Sequence, residues 1–348
     1  MKPSKLLRVG FIGWRGMVGS VLMQRLTDHG QFKSIEPIFF SSQFDSVLAP
    51  TTSILPVQDA QDLEILQSCD VLVSCQGSRY TKQIYPQLHK KGYQGYWLDS
   101  ASYLRSSGCL VLDPVNHHAI TRAIDQGEKC FVGANCTVSL LLLALLPILD
   151  QVTSIQSMTY QSISGAGMQA VQSWLKPFAD MPSMQTLGEM TTWCKQLPLG
   201  GGLLPWIDKD SELPGISREE WKGEREASQI LARKIAYEGY CVRVGVLRAH
   251  SQAVTVTLKK TFSLDQIIEQ YRSVNWPWLN YVPNTKEDTF SQLTPSAVMG
   301  TATIAVGRLQ LSRHQPNTLR LFTIGDQLIW GAAEPLRLML SRLIAYHQ

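Results

Sequence analysis

The 348-residue sequence has few charged residues and no run of like charge. Asp, Glu, Lys and Arg make up 17% of it, against roughly 25% in an ordinary domain. The 32 basic and 28 acidic residues give a net charge of +4, which is too small and too dispersed for a dedicated nucleic-acid surface. A surface so poor in charge also predicts that part of it is covered in an oligomer.

Paired cysteines and long apolar runs are also absent. The seven cysteines have no C-x-x-C spacing, which argues against a disulfide framework and a structural zinc site and favours a reducing cytoplasm. His117 and His118 are adjacent and would point in different directions, so no metal site is predicted. The start of the chain lacks a signal-peptide pattern. The most apolar run, residues 138–149, is shorter than the about 20 residues that span a bilayer, and it predicts a buried helix.

Strand and helix patterns alternate through about the first 130 residues. This alternation predicts right-handed βαβ crossovers and a doubly wound, mostly parallel sheet, a Rossmann-like α/β fold. The predicted strands span residues 6–12, 35–40, 70–74, 96–98, 109–112 and 129–132, and the predicted helices span residues 17–28, 59–67 and 79–91.

The second half predicts an α+β domain with mostly antiparallel strands. Residues 327–346 have helical apolar spacing and could pack back on the first domain. The predicted domains are therefore 1–134 with 327–348, for nucleotide binding, and 135–326, for catalysis and dimerisation. The strands predicted in this half span residues 152–164, 241–247, 253–260, 301–311 and 318–324.

A glycine-rich turn follows the first predicted strand. Gly10, Gly13, Gly16 and Gly19 stand at every third position, and glycines there let backbone amides approach a pyrophosphate at a helix N-terminus. Tight turns without a ligand use the same residues, so the pattern is a nucleotide-binding hypothesis that needs this strand and helix context.

The end of the second strand indicates which nucleotide binds. An NAD site usually has an acid there to hold the ribose hydroxyls, but this strand ends in Ser41 and Ser42 without one. Arg15 and the two serines could instead hold a 2′-phosphate, which favours NADP. The alternative is that Arg15 simply lies in solvent.

Two further residues suggest covalent chemistry. Cys136 stands between a predicted strand and the apolar helix, where the positive end of the helix dipole favours the thiolate. A thiolate near a nicotinamide suggests that the sulfur attacks an activated acyl group and that hydride then reduces the acyl-enzyme. His250 follows two arginines between two predicted strands and is the candidate acid/base, although a surface histidine is the default interpretation.

At these residues the sequence resembles the aspartate-β-semialdehyde dehydrogenase family over nearly its whole length. The resemblance implies NADPH-dependent reductive dephosphorylation of L-aspartyl 4-phosphate to L-aspartate 4-semialdehyde and phosphate, in lysine, threonine, methionine and diaminopimelate biosynthesis. With the composition and the cysteine pattern, the sequence predicts a cytoplasmic homodimer or tetramer that binds neither nucleic acid nor membrane. The motifs that carry the resemblance are FIGWRGMVGS, CQGSRYT, LDPVN, GANCTVS, PWIDK, REEWKGE, CVRVGVLRAHSQA and GDQLIWGAAEPLR.

The resemblance also implies a role for each matching residue. Cys136 is the nucleophile, His250 the general acid/base, and Gln161 orients the substrate. Asn135 and the Cys136 amide are candidate oxyanion donors on geometric grounds alone. The substrate-binding residues are Arg243 for the α-carboxylate, Glu219 for the α-ammonium, and Arg105 and Lys222 for the phosphate. The NADP contacts are Arg15, Gly16, Met17, Val18, Ser42, Gln43, Gln76, Ser164, Gly165, Ala166, Gly167, Met168 and Gln327.

Two departures and two alternatives accompany this interpretation. The stretch from Ser164 to Gly167 has an alanine where close relatives often have a third glycine, and residues 168–205 form a shorter segment than expected. N-acetyl-γ-glutamyl-phosphate reductase is the enzymatic alternative, but its substrate has no ammonium to pair with Glu219. A non-catalytic NADP-binding paralogue is the other alternative, although Cys136 and His250 are both present.

Overall fold

The computed structural model of the protein describes residues 6–44, 47–51, 53–179 and 181–348. The described chain divides into two compact units. Unit 1 contains the residues up to Cys136 together with Leu328–Gln348, and unit 2 contains Thr137–Gln327. The sequence predicted boundaries after residues 134 and 326, with Gln327 in the nucleotide-binding domain. In the structure Gln327 belongs to unit 2.

A seven-stranded parallel sheet forms the centre of unit 1. Its strands are β1 (Leu7–Ile12), β2 (Ile35–Ser41), β3 (Gln58–Asp59), β4 (Val71–Ser74), β5 (Tyr96–Asp99), β6 (Cys109–Val111) and β7 (Cys130–Gly133). They lie in the order β3-β2-β1-β4-β5-β7-β6. The predicted doubly wound sheet is therefore confirmed. Because β1 and β4 are neighbours, the direction of winding reverses between them, which is where open α/β sheets bind ligands.

The helices of unit 1 connect these parallel strands. The first helix begins directly after Gly16, because that residue adopts an extended conformation with φ −71° and ψ 173°. Its bounds are those predicted, and one short 3-10 helix, Gln31–Ser34, follows it. The helices are α1 (Met17–Asp28), α2 (Leu63–Gln67), α3 (Ser78–Lys90), α4 (Asp113–Asn116) and α5 (His118–Asp125).

The last helix of the sequence completes the core of unit 1, as the sequence predicts. A π-helical segment, Ile329–Ala333, leads into the helix Glu334–His347. Leu336, Met339, Leu340 and Leu343 are buried in one apolar cluster with side chains of α1, β5 and β7, the elements that this helix contacts. Burial of four such side chains contributes roughly 1.5–3 kcal/mol each relative to leaving them exposed.

A second seven-stranded sheet forms the centre of unit 2. Its strands are β8 (Val152–Gln161), β9 (Leu203–Leu204), β10 (Ala236–Val244), β11 (His250–Leu258), β12 (Leu279–Tyr281), β13 (Ile304–Leu311) and β14 (Thr318–Gly325). They lie in the order β12-β13-β14-β11-β8-β10-β9. The expected antiparallel pairs are β8 with β11, β11 with β14, and β13 with β14. The pairs of β10 with β8 and of β12 with β13 are parallel, so the sheet is mixed.

Several predicted bounds in unit 2 differ from the structure. The predicted strand 152–164 ends at Gln161, because Ile163–Ala166 turns into a 3-10 helix. The apolar helix ends at Leu145 and a 3-10 segment, Leu146–Gln151, follows it. The helices are α6 (Cys136–Leu145), α7 (Met168–Ala179), α8 (Leu187–Cys194), α9 (Pro198–Gly202), α10 (Arg218–Ile230), α11 (Leu264–Ser273), α12 (Lys286–Gln292) and α13 (Pro295–Val298).

The segment of residues 168–205 has a small core of its own. Trp174 of α7 is buried with Ile163 and Leu197, and Trp193 of α8 packs against this group. Within α9 four residues have positive φ, which makes it an irregular turn between short elements. The segment therefore folds around two tryptophans, although it is shorter than the sequence resemblance led us to expect.

Candidate active site

The glycine-rich turn brings the ends of β1 and β4 into close contact. Gly13 has φ +74°, and a Cβ atom there would lie 2.7 Å from the backbone nitrogen of Gln76 and 2.8 Å from its Oε1. Any side chain at position 13 would therefore collide with the residues that follow β4. This close approach leaves Gln76, a predicted cofactor contact, beside the turn at the point where the winding reverses.

The N-terminus of α1 supplies donors for an anion. Gly16 precedes the helix and has no side chain to cap it, so the first backbone N–H groups have no partner within the helix. Met17 and Val18 are the first two helical residues. Backbone N–H groups at such a helix end are a binding site for phosphate.

Arg15 is anchored to the end of β2. Its Nη2 donates to Ser41 Oγ at 2.6 Å and to the Gln43 carbonyl at 3.3 Å. The Gln43 backbone N–H also donates to Ser41 Oγ, at 3.1 Å. Arg15, Ser42 and Gln43 are all exposed. The structure therefore places a fixed guanidinium where the ribose of an adenine nucleotide meets the end of the second strand in folds of this type.

Cys136 is the first residue of α6, and Asn135 beside it is buried. Arg105 is held close to this segment, because its Nε donates to the Gly133 carbonyl at 2.9 Å and its Nη2 to the Ser100 carbonyl at 3.2 Å. Within unit 1 the structure thus brings together Arg105 and the turn that carries the predicted nucleophile and oxyanion donor.

The other cysteines of unit 1 are poor nucleophiles. Burial raises the pKa of the Cys69 thiol to about 12, of Cys109 to about 11 and of Cys130 to about 12. It also raises the pKa of Cys75 far above its ordinary range. These four side chains remain thiols at neutral pH. None of the seven cysteines is in a disulfide.

In unit 2, Gln161 and Arg243 are directly paired at the ends of the neighbouring strands β8 and β10. Both side chains are buried. Arg243 Nη1 donates to the Ser162 carbonyl at 2.6 Å, and Gln161 Nε2 donates to Thr159 Oγ1 at 3.2 Å. A buried guanidinium fixed at one nitrogen is suited to bind a planar carboxylate through its fork.

His250 begins β11 and is completely buried. Its Nδ1 accepts the Ser162 backbone N–H at 3.1 Å and lies 3.0 Å from Ser162 Oγ. Its Nε2 has no hydrogen-bond partner among the described residues. Burial, and then the positive charge of Arg243, lower the pKa of His250 to about 3. The default interpretation as a surface histidine is therefore wrong.

Gly165 separates Arg243 from the Nε2 edge of His250. A Cβ atom at Gly165 would lie 2.7 Å from Arg243 Nη1 and 3.3 Å from His250 Nε2. The absence of a side chain at this position lets the guanidinium and the imidazole face the same small volume. Ala166 and Met168, two other predicted cofactor contacts, are exposed beside it, and Gly167 turns the chain with φ +98° into α7.

The side chains of Ser164 and Gln327 are hydrogen-bonded to each other. Gln327 Nε2 donates to Ser164 Oγ at 2.6 Å, and Gln327 Oε1 accepts the Ala249 backbone N–H at 2.9 Å. Both side chains are buried. Gln327 is thus packed against the residue that precedes His250.

Glu219 and Lys222 lie together near the start of α10, three residues apart. Lys222 Nζ is 3.5 Å from Glu219 Oε2 and 2.7 Å from Asp208 Oδ2. Desolvation acts to raise the pKa of Asp208, but the hydrogen bond from Lys222, the backbone hydrogen bond from Lys209 and the charges of Lys222 and Arg218 together outweigh it, and the pKa lies below its ordinary value. The predicted phosphate-binding lysine is therefore paired with two carboxylates, one of which the sequence analysis did not identify.

Two polar residues at these sites were not predicted as site residues. Ser162 contacts both His250 and Arg243, and Asp208 holds Lys222. Ser41, which the sequence offered as a possible phosphate ligand, also orients Arg15. Asp208 lies inside the motif PWIDK, which was a signal for it. Ser162 contacts Arg243 through its carbonyl and His250 partly through its backbone N–H, and no sequence pattern reports such contacts.

None of the described helices is long and apolar enough to cross a membrane. Within the same residues no group of three or more His, Cys, Asp and Glu side chains is arranged to hold a metal ion.

Two family models match the chain. The model described as semialdehyde dehydrogenase, NAD binding domain, matches residues 8–123, and the model described as semialdehyde dehydrogenase, dimerisation domain, matches residues 145–330. Together they cover most of both units.

Solved structures give the same result over the full length. An aspartate semialdehyde dehydrogenase from Francisella tularensis is 42% identical, with a TM-score of 0.91 over 97% of this chain and 100% of that one. An aspartate semialdehyde dehydrogenase II from Vibrio cholerae, complexed with ASA, is 20% identical, with a TM-score of 0.82 over 98% of this chain and 99% of that one. An enzyme of the same name from Candida albicans, with NADP, is 16% identical, with a TM-score of 0.65 over 97% of this chain and 98% of that one. The last two likenesses concern the fold alone.

Proposed function

Since the chain belongs to the aspartate semialdehyde dehydrogenase family, we propose that it converts L-aspartyl 4-phosphate and NADPH to L-aspartate 4-semialdehyde, phosphate and NADP. The observation that carries this proposal is the 42% identity over the full chain of a solved family member, together with the arrangement of Gln161, Arg243 and His250 in unit 2. The product would serve the biosynthesis of lysine, threonine, methionine and diaminopimelate.

The proposed nucleophile is Cys136. Its sulfur attacks the acyl carbon of the substrate, the carbon–oxygen bond to phosphate breaks, and phosphate leaves with the electron pair of that bond. The product of this step is a thioester on Cys136. NADPH supplies the hydride that reduces the thioester carbon, and collapse of the resulting thiohemiacetal releases the aldehyde and the thiolate. Asn135 and the Cys136 amide are proposed to donate hydrogen bonds to the oxygen that becomes negative.

The proposed substrate contacts use the buried and paired charges of unit 2. Arg243, whose Nη1 is held by the Ser162 carbonyl, binds the α-carboxylate. Glu219 binds the α-ammonium, and Lys222 binds the phosphate. Because Lys222 is already paired with Asp208 and Glu219, phosphate binding must compete with two carboxylates. Arg105 is the proposed second phosphate ligand, and Gln161 orients the acyl group.

The proposed cofactor site lies in unit 1, with NADP preferred over NAD. The close turn at Gly13 and the N-terminus of α1 fit a pyrophosphate, because both present backbone N–H groups without side-chain obstruction. Arg15, fixed by Ser41 and Gln43, fits a 2′-phosphate. The proposed contacts in unit 2 are Ser164, Gly165, Ala166, Gly167, Met168 and Gln327.

His250 is the proposed acid/base. A neutral imidazole is the form that burial favours here, and the negative charge of a bound substrate would raise the pKa of the ring toward the range of an acid/base catalyst. The free Nε2 edge, beside Gly165 and Arg243, is the side of the ring that faces the proposed carboxylate-binding residue.

We further propose a cytoplasmic homodimer, with a tetramer as a second arrangement. The match of residues 145–330 to a dimerisation domain supports the dimer. Seven cysteines without a disulfide support a reducing compartment. Sedimentation equilibrium of the purified protein at several concentrations distinguishes monomer, dimer and tetramer.

The reverse reaction tests the proposed function most directly. Purified protein is mixed with L-aspartate 4-semialdehyde, phosphate and NADP, and formation of NADPH is followed by its absorbance. The same assay is run with N-acetylglutamate semialdehyde and with NAD. We expect phosphate-dependent activity that is confined to the first aldehyde and prefers NADP. Comparable activity with the N-acetylated aldehyde would assign the protein to the alternative reductase.

Cysteine variants separate the thioester mechanism from mere binding. Cys136→Ala should abolish turnover and leave the affinity for NADP unchanged. Cys194→Ala is the matched control, because Cys194 is exposed at the end of α8, outside the proposed site. Turnover of the Cys136 variant close to that of the control would remove the thioester mechanism.

A further inference from the structure

A closed ring of buried hydrogen bonds surrounds the backbone that carries His250. The Ala249 N–H donates to Gln327 Oε1 at 2.9 Å, and Gln327 Nε2 donates to Ser164 Oγ at 2.6 Å. Ser164 Oγ is 3.4 Å from Ser162 Oγ, which is 3.0 Å from His250 Nδ1. The ring closes because His250 follows Ala249 in the chain, and all five residues are less than a tenth exposed.

The direction of every donor in this ring follows from two backbone groups. A backbone N–H can only donate, so the Ala249 N–H fixes Oε1 of Gln327 as an acceptor and turns the NH2 group toward Ser164. Ser164 Oγ then accepts, and its own hydrogen is available to Ser162 Oγ. The hydrogen of Ser162 Oγ is in turn available to His250 Nδ1. The Ser162 backbone N–H points at the same nitrogen. Both the hydroxyl and the backbone N–H of Ser162 therefore make Nδ1 an acceptor.

The backbone at Ala249 shows why such an anchor is needed. Ala249 has φ +76°, a left-handed conformation that costs a non-glycine residue of order 1 kcal/mol or more. Asp326, the residue before Gln327, is fully buried, and its Oδ2 lies 2.6 Å from Arg248 Nε. Two neighbouring side chains, Asp326 and Gln327, therefore hold the two residues that precede His250.

We propose that Gln327 is a positioning residue for His250, and that it acts through Ser164 and Ser162 to keep the proton of the neutral imidazole on Nε2. This inference rests on the proposed function, since His250 is the proposed acid/base of that reaction. The consequence is that resting His250 offers an N–H group, at the edge beside Gly165 and Arg243, to an oxygen of the substrate. Because Gln327 and Ser164 are also proposed NADP contacts, the ring joins the cofactor-binding residues to the imidazole.

Reversing the direction of the hydrogen bonds between Gln327 and His250 tests the proposal without any substrate. In Gln327→Glu the second carboxylate oxygen must accept from Ser164, so Ser164 no longer donates to Ser162. The two hydroxyl oxygens, 3.4 Å apart, would then have no hydrogen between them, which favours a turn of the Ser162 hydroxyl toward Ser164 and leaves a lone pair of Ser162 Oγ facing Nδ1. In the double variant, which combines Gln327→Glu with Ser164→Ala, the link to the introduced carboxylate is broken, and the Ser162 hydroxyl can donate to Nδ1 again. The double variant keeps the new negative charge and is therefore the matched control for its electrostatic effect.

The measurement is two-dimensional NMR of the unliganded protein with 15N-labelled histidine side chains, between pH 6 and 8. The signal of His250 is assigned as the one missing from His250→Gln. In the wild type we expect a single neutral tautomer with the proton on Nε2. In Gln327→Glu the Nδ1 resonance should move downfield, because Nδ1 keeps the Ser162 backbone N–H but loses the hydrogen bond from the Ser162 hydroxyl, and in the double variant it should return to the wild-type position.

Three results would overturn the proposal: a wild-type proton on Nδ1, a Gln327→Glu spectrum identical to wild type, or equal shifts in the single and double variants. The last result would show that the charge of the introduced carboxylate acts through space. Should Gln327→Glu fail to fold, Ser162→Ala replaces it. Loss of the Ser162 hydroxyl should move the Nδ1 resonance downfield, and Ser162→Thr should return it to the wild-type position. An unchanged resonance in Ser162→Ala would refute the proposed hydrogen-bond path from Gln327 to His250. These spectra need no turnover, so they stand apart from any failure of the proposed activity.

Discussion

The preference for NADP over NAD gives a quantitative test of the site in unit 1. Arg15 is held by two hydrogen bonds at the end of β2, to Ser41 Oγ at 2.6 Å and to the Gln43 carbonyl at 3.3 Å. A guanidinium held in this way can meet a 2′-phosphate with little further loss of side-chain entropy. Arg15→Ala removes the charge, and Arg15→Lys keeps the charge without the planar fork.

The size of the effect follows from the exposure of Arg15. A hydrogen bond to a charged group contributes about 1.5–3 kcal/mol, and an exposed position lies at the lower end of this range because water and salt screen it. About 1.5–2 kcal/mol corresponds to a loss of roughly 10- to 30-fold in affinity. Arg15→Ala should therefore weaken NADP binding by about that factor and leave NAD binding within about twofold, since NAD has no 2′-phosphate.

Isothermal titration calorimetry with NADP and with NAD measures both affinities. Arg122→Ala is the matched control, because it removes an exposed arginine from α5, which packs on the opposite edge of the sheet. Added salt should reduce the wild-type preference for NADP, with little effect on NAD. Equal losses for the two nucleotides in Arg15→Ala would refute the assignment, because Arg15 would then act on the common part of the cofactor or on the fold.

Three further predictions concern packing, stability and substrate binding. Gly19→Ala would place a Cβ 2.2 Å from the Gly13 carbonyl oxygen, so urea unfolding should show a loss of about 1–3 kcal/mol, and an unchanged midpoint would contradict this packing. Burial, and then the charge of Arg243, lower the pKa of His250 from 6.5 to about 3; the unfolded chain therefore binds a proton that the folded chain does not, and stability is lost as the pH falls from about 6.5 toward 3. His250→Gln should flatten that part of the stability profile, and an equally steep loss in the variant would assign it to other groups. Arg243→Lys keeps the charge but loses the fork, so kcat/KM for L-aspartate 4-semialdehyde should fall by roughly 10-fold or more, whereas a value near wild type would exclude a bidentate contact.

The first half of the fold could be predicted from the sequence because local and tertiary preferences agree there. The helix over residues 17–28 has the predicted bounds, since a glycine precedes it and a regular apolar face follows. β3 was missed, because its two polar residues, Gln58 and Asp59, form a strand only by pairing with the end of β2. No local pattern distinguishes such a pair from a loop.

The second half was predicted less well for a different reason. β10 begins at Ala236, five residues before the predicted start, and its first residues alternate between exposed and half-buried side chains with a glycine among them. Its parallel pairing with β8 follows from the crossover through α10, a helix that the sequence interpretation did not include. His250 was placed between strands, yet it is the first residue of β11, and its neighbour Ala249 adopts a positive φ that the identity of alanine does not predict.

The candidate site shows the same division. Reactive residue types in recognisable motifs, such as Cys136, His250 and Arg243, could be selected from the sequence, and their roles remain proposals. Ser162 could not be selected, because its contacts with His250 and Arg243 run largely through its peptide group. The pairing of Lys222 with Asp208 also depends on a turn with φ +70° at Asp208, which only the folded chain reveals.

The discontinuous composition of unit 1 has a consequence for the order of folding during synthesis. Its seven strands leave the ribosome first, but the helix that covers them, Glu334–His347, is made only after all of unit 2. Until then the apolar side chains that Leu336, Met339 and Leu343 later cover remain open to solvent. Unit 2, by contrast, is continuous from Thr137 to Gln327 and needs no later segment to complete its sheet. Chains that end shortly after residue 327 and have been released from the ribosome should therefore contain a protease-resistant unit 2 joined to a protease-sensitive and chaperone-binding first unit.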